Sequence, residues 1–200
     1  MPERNLHVVP DSIETEIAVF TEPLAAACEI LDQVNIPCSA QVAVLGDGKL
    51  GLLIAQALRA HGFRVHQFGR HKEKLRIAAQ AGVETEVTGK LMPVAAYNWV
   101  VDATGSPEGL AQAVRMARPR GTVILKSTVH DTVGVDTAPV IVNEITLVGS
   151  RCGRFEPALE LLRSGLVNVA DMIAERLPLD QAARAFRTAA RAGVLKVLLS

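Results

Sequence analysis

The sequence predicts a doubly wound α/β fold, a parallel sheet with helices on both faces. Two observations lead there. Short apolar runs alternate with amphipathic helical stretches from about residue 41 to about residue 163. The first run, Gln41-Val42-Ala43-Val44-Leu45, also meets Gly46-Asp47-Gly48-Lys49-Leu50-Gly51, a G-x-G-x-x-G loop that opens straight into a helical pattern. Alternation of this length implies parallel pairing, and right-handed crossovers then give the strand order 3-2-1-4-5-6.

Taken in order, residues 5–20 read as irregular or extended, with Leu6, Val8, Val9, Ile17, Val19 and Phe20 as apolar contacts. Glu22-Pro23 opens a helix to about residue 34, proline being tolerated in a first turn. Leu24, Ala27, Cys28, Leu31 and Val34 recur on one face of it, and Cys28 reads as a small core residue. After the glycine loop a helix over 49–61 stops at Gly62, and residues 64–68 form the second strand. A helix over 73–81 closes at Gly82, residues 83–87 give a weak third strand, and 98–102 give the fourth. Ser106 as N-cap with Pro107 at the first helical position starts the next helix, which ends near Met116. Arg118-Pro119-Arg120-Gly121 reads as a turn into a fifth strand over 122–126. A loop over 127–139 leads to apolar strands at Val140-Ile141-Val142 and Ile145-Thr146-Leu147-Val148. The tail reads as a helix over 156–163, an extended piece over 172–177, a helix over 179–190 and a strand over 195–199.

Composition narrows the possible functions. Lysine plus arginine and aspartate plus glutamate both number 21, so the chain lacks the basic charge that a nucleic-acid partner calls for. No apolar stretch approaches the ~20 residues that cross a bilayer. The first residues lack the charged and apolar regions of a signal peptide, so the cytoplasm is the expected compartment. Three cysteines without a C-x-x-C pair oppose a disulfide frame or a zinc ribbon.

The loop carries the chemistry. Gly46 allows a tight turn, Gly48 lets a pyrophosphate approach bare backbone, and Gly51 lets helix and strand pack closely. Lys49 and Leu50 belong to the same cradle, where the helix N-terminus offers free N–H groups to phosphate. In NAD-binding versions of such a loop an acid closes the second strand and grips the ribose. Here that strand ends Phe68-Gly69-Arg70-His71-Lys72, with no carboxylate before Glu73. Gly69 leaves space, Arg70 suits a 2′-phosphate, and Lys74 adds a second cation. NADP is therefore favoured, with NAD as the alternative; a solvated basic helix start is the reading without a ligand. Thr104 and Gly105 after the fourth strand, with Ser127 and Thr128 after the fifth, become walls for the nicotinamide ribose. Asp102 reads equally as a ribose contact or a loop anchor. His130 reads as a surface histidine, with a proton-relay role as the alternative.

With the glycine loop, Asp102-Ala103-Thr104-Gly105-Ser106 and Asn143-Glu144-Ile145-Thr146-Leu147-Val148-Gly149-Ser150 in view, the chain resembles the medium-chain dehydrogenase/reductase family. It is most similar to the zinc-type alcohol, threonine and sorbitol dehydrogenase branch. The resemblance runs from Thr21-Glu22-Pro23-Leu24-Ala25 to Lys196-Val197-Leu198-Leu199. It implies a Rossmann domain over 37–165, a catalytic-domain remnant with linking helix over 1–36, and a segment over 166–200 that would rejoin a catalytic domain. That GroES-like domain, which supplies the zinc ligands in the family, is not in this sequence. Glu22 is by resemblance the glutamate beside the catalytic zinc, and zinc is expected only if the missing domain is supplied, since one carboxylate falls short of a three-ligand site. No catalytic residue is assigned within the chain.

The resemblance also implies coenzyme contact for Lys196 and a homodimer through the Ile145-Thr146-Leu147-Val148 edge. The expected function is the coenzyme-binding portion of an oxidoreductase that moves hydride between an alcohol or carbonyl substrate and NADP(H), with weak or no turnover by itself. The rival readings are a non-catalytic NADP-binding partner of a separate catalytic domain and an S-adenosylmethionine methyltransferase. Gly69-Arg70 opposes the latter. Residues 5–36 and 178–200 are expected to leave apolar faces exposed or recruited into a new contact.

Overall fold

The computed structural model describes residues 2–89, 91–129 and 133–200. A short helix α1 (Thr15–Ala18) leads into α2 (Thr21–Gln33). The alternating part then runs β1 (Gln41–Leu45), α3 (Lys49–Ala60), β2 (Arg64–Gly69), α4 (Lys72–Gln80), β3 (Glu84–Val87), β4 (Tyr97–Asp102), α5 (Pro107–Met116) and β5 (Ala117–Leu125). It continues through α6 (Ala138–Val142), β6 (Thr146–Gly149) and α7 (Phe155–Arg163). Last come β7 (Ile173–Leu177), α8 (Ala182–Ala189) and β8 (Lys196–Leu199). The six-stranded sheet has the order β3-β2-β1-β4-β5-β6, every pairing parallel, and β7 and β8 form a separate parallel pair. The sequence-derived strand order is therefore the observed one.

The two-residue period of the strands makes the core two-sided. Val42 and Val44 of β1, with Val101 and Ile124, face α2, α3 and α7, where Leu24, Ile30, Leu52, Leu58 and Leu161 are buried. Ala43 and Leu45, with Phe68, Val100 and Val123, face α5, where Ala113 and Met116 close the other side. The residues expected to form an exposed remnant divide. Leu6 and Val8 are exposed, but α2 is fixed in the main core through Leu24, Ala25 and Ile30. In the tail, Leu179 and Phe186 are exposed while Ala185 and Leu198 are buried.

Three local expectations need correction. Val140-Ile141-Val142 is helical, not a strand: the Asp136 carboxylate accepts from Ala138 N–H at 3.0 Å, Pro139 sits in the first turn, and Ile141 N–H reaches the Thr137 carbonyl at 3.0 Å. These local contacts outweigh the preference of branched side chains for strands. The 118–121 segment is an excursion inside β5 and not a turn before it. Ala117 already pairs with Tyr97, Thr122 resumes against Trp99, and Arg120 takes a φ of 61° between them. Lastly, residues 5–20 hold the helical turn of α1, whose Ala18 N–H bonds to the Glu14 carbonyl at 2.9 Å.

Candidate functional site

All six parallel strands end on one side, and the glycine loop lies at the middle of that side. Gly46 has a φ of 110°, and a Cβ there would stand 2.5 Å from the Ala103 carbonyl oxygen. A Cβ on Gly51 would stand 2.3 Å from the Gly46 oxygen, so α3 approaches the loop as closely as backbone allows. Gln67 holds that same Gly46 oxygen, donating from Nε2 at 2.8 Å. Gly48 differs: a Cβ there meets nothing within 4 Å. It caps α3 without a side chain, leaving the first-turn N–H groups free over open space. The loop is thus rigid below and empty above, which fits a dinucleotide phosphate.

A groove crosses this edge in three connected cavities. The first, about 440 Å³, lies between the loop and the end of β2 and includes Gly46, Gly48, Gly69, Arg70, Lys74 and Thr104. The second, about 320 Å³, shares Gly48, Lys74 and Thr104 with it and adds Lys49, Leu50, Gly105, Ser127 and Thr128. The third, about 820 Å³, continues from Lys49, Leu50, Ser127 and Thr128 to Glu22 and Cys152. Eleven of the thirteen coenzyme residues expected from the sequence line the first two cavities. Gly51 packs beneath the groove, and Lys196 stands beside it with Nζ 5.2 Å from the Phe20 ring centroid. The Lys196 pKa is lowered, by burial first and then by Lys49, against the opposing pull of Glu22. His130 lies outside the described residues.

Two site residues escaped the sequence reading. Asp47 folds its carboxylate over Gly69, where any Cβ would stand 2.5 Å from the Asp47 Cβ. Its Oδ2 accepts from His71 N–H at 2.6 Å and lies 2.9 Å from His71 Nδ1. The loop thus brings a carboxylate beside the end of β2, where it anchors through His71 the turn that carries Arg70. An acid inside a glycine loop, combined with a strand end that lacks one, was the available signal. The second residue is Lys126, a charged side chain ending an apolar strand and only 8% exposed. Its Nζ donates to Ser150 Oγ at 2.8 Å and to the Arg151 carbonyl at 3.0 Å. Burial lowers its pKa to about 8, while Glu29, Cys152 and Cys28 pull the other way.

Asp102 is an anchor. It is 2% exposed, and its Oδ1 accepts from Thr104 N–H at 3.0 Å, Thr104 Oγ1 at 2.8 Å and Ser127 Oγ at 3.0 Å. Gly105 N–H in turn donates to Ser127 Oγ at 2.9 Å, so the walls of the second cavity brace each other. Cys28 is buried in the core, and burial pushes its thiol up to about 11. Glu22 reaches the third cavity, but among the described residues no three histidine, cysteine, aspartate or glutamate side chains group as metal ligands. These residues do not by themselves fit a zinc ion.

Sheet order, glycine loop and groove together define a Rossmann-type protein. A family model described as zinc-binding dehydrogenase matches residues 50–164, and the chain belongs to that family. It is 25% identical to a sorbitol dehydrogenase of Halalkalibacterium halodurans over 99% of its own length and 62% of that protein. It is 26% identical to a D-arabitol-phosphate dehydrogenase of Enterococcus avium, covering 98% of this chain and 61% of that one. A Sinorhizobium meliloti 1021 structure, described as a zinc-binding dehydrogenase bound to NADP, superposes with a TM-score of 0.89 at 25% identity. That match covers 100% of this chain and 63% of that one. The chain thus spans about three fifths of the length of these relatives. Among the described residues no helix is long and apolar enough to cross a membrane.

Proposed function

We propose that this chain binds NADP(H) as the coenzyme-binding portion of a zinc-type alcohol or polyol dehydrogenase. The observation that carries the reading is the loop itself: Gly46 and Gly51 are locked against backbone while Gly48 opens onto the free groove at the N-terminus of α3. Adenosine fits the cavity at the end of β2, where Arg70 and Lys74 favour a 2′-phosphate. The pyrophosphate fits over the N-terminus of α3, and the nicotinamide fits beyond Ser127 and Thr128.

When bound, the coenzyme accepts or donates a hydride at its nicotinamide ring. This chain's residues bind and orient it: Asp102 holds Thr104 and Ser127 in place, and Ser127 holds Gly105. Alcohol oxidation also needs a group that stabilises the developing alkoxide, commonly a metal. We assign that group to a catalytic domain that residues 1–36 and 166–200 would adjoin, with Glu22 facing it, so the chain alone turns over alcohols weakly or not at all. We also place a homodimer contact at the β6 edge, where Thr146 and Leu147 are exposed. A monomer mass in sedimentation would remove that contact. A cytoplasmic setting agrees with three free cysteines. Thermal shift with NADP, NAD and S-adenosylmethionine tests the central reading. The largest rise is expected with NADP, and no rise with either nicotinamide coenzyme would overturn it.

A further inference from the structure

Lys126 stands where β5 leaves the core, and it lines both the second and the third cavity of the groove. Its two hydrogen bonds, to Ser150 Oγ and the Arg151 carbonyl, pin the ammonium between the ends of β5 and β6. They use two of its three protons. The acid nearest in effect, Glu29, belongs to α2, as does Cys28, while Cys152 follows β6. No salt bridge to Lys126 is formed among the described residues. A cation held in place by two hydrogen bonds therefore lines the far half of the groove, which Lys49, Arg151 and Glu22 also line.

This inference rests on the coenzyme reading above, which puts the nicotinamide at that end. The nicotinamide ring carries a positive charge in the oxidised coenzyme and none in the reduced one. A pinned cation beside the ring repels the first form and leaves the second unaffected. We propose that Lys126 is a redox-selectivity residue, whose ammonium, held by Ser150 and Arg151, makes the chain bind NADPH more tightly than NADP+.

The test is the ratio of dissociation constants on the full chain, with NADPH followed by its fluorescence and NADP+ by calorimetry. The wild-type ratio should favour NADPH. Lys126→Met and Lys126→Gln should narrow it by about tenfold, the scale of one partly screened charge pair, and Lys126→Arg should keep it. The glutamine amide can still donate to Ser150 or Arg151, and the wild-type ratio needs no variant, so poor folding of one variant does not block the test. A wild type that binds NADP+ as tightly as NADPH, or neutral variants with an unchanged ratio, would overturn the proposal while leaving the coenzyme reading intact. A wild type that binds neither form overturns the coenzyme reading itself.

Discussion

Replacing Asp47 by alanine removes a side chain that ties the glycine loop to the start of α4. In the intact protein its Oδ2 takes a 2.6 Å hydrogen bond from the His71 backbone, and its side chain is 9% exposed. A hydrogen bond to an ionised group contributes about 1.5–3 kcal/mol net. The anion also faces the N-terminus of α4, which adds about 0.3–1 kcal/mol. The contact with the His71 ring counts for little, because that ring is 45% exposed and its charge is screened. Asp47→Ala should therefore cost about 2–4 kcal/mol. For a chain of this size each kcal/mol lowers Tm by about 2–4 °C, so the drop is about 4–16 °C. Asp47→Asn keeps an acceptor without the charge and should lose about half as much. Urea and thermal unfolding followed by circular dichroism would measure both. The same variants should weaken NADP several-fold more than NAD, because the loosened turn carries Arg70. An Asp47→Ala stability within about 0.5 kcal/mol of wild type, the usual span of neutral surface changes, would refute the anchoring argument.

The glycines give a paired prediction. Gly51→Ala forces α3 off the Gly46 carbonyl and should cost about 1–3 kcal/mol, whereas Gly48→Ala enters open space and should change stability by about 0.5 kcal/mol or less. Both should lose coenzyme affinity in a titration, and a Gly51→Ala as stable as Gly48→Ala would contradict the close packing. Lys126 gives a pH dependence. Its pKa is about 8 folded and 10.5 in the open chain, so between those values the unfolded state holds a proton that the folded state has lost. Stability contributed by this group therefore rises with pH through that window and is flat below it. The stability difference between wild type and Lys126→Met, measured by urea unfolding from pH 7 to pH 10, should move in favour of wild type. A difference that stays constant would show that burial does not depress this lysine.

Much of the site was legible because it depends on local spacing. A glycine loop needs glycines at fixed offsets, and a strand of period two must show one face to each helix layer, so both leave their mark in consecutive residues. The Ser106-Pro107 helix start was readable for the same reason, and Ser106 Oγ accepts from Glu108 N–H at 3.4 Å. Val140-Ile141-Val142 misled because branched apolar residues suit either a strand or a half-exposed helix. The capping contact from Asp136, two residues upstream of the helix, decided between them. Arg118-Pro119-Arg120-Gly121 misled because a turn composition does not reveal that strand pairing has begun before it.

The sequence by itself determined the sheet order, the glycine cradle and the cationic end of β2, since each follows from residues adjacent in the chain. The tertiary structure alone decided what those pieces meet. It brought Asp47 to His71 across 24 positions, Lys126 to Ser150 across another 24, and α2 into the core against α3 and α7. Such contacts join residues that share no local pattern, so only the folded chain places an acid over Gly69 and a buried, hydrogen-bonded lysine along the far half of the groove.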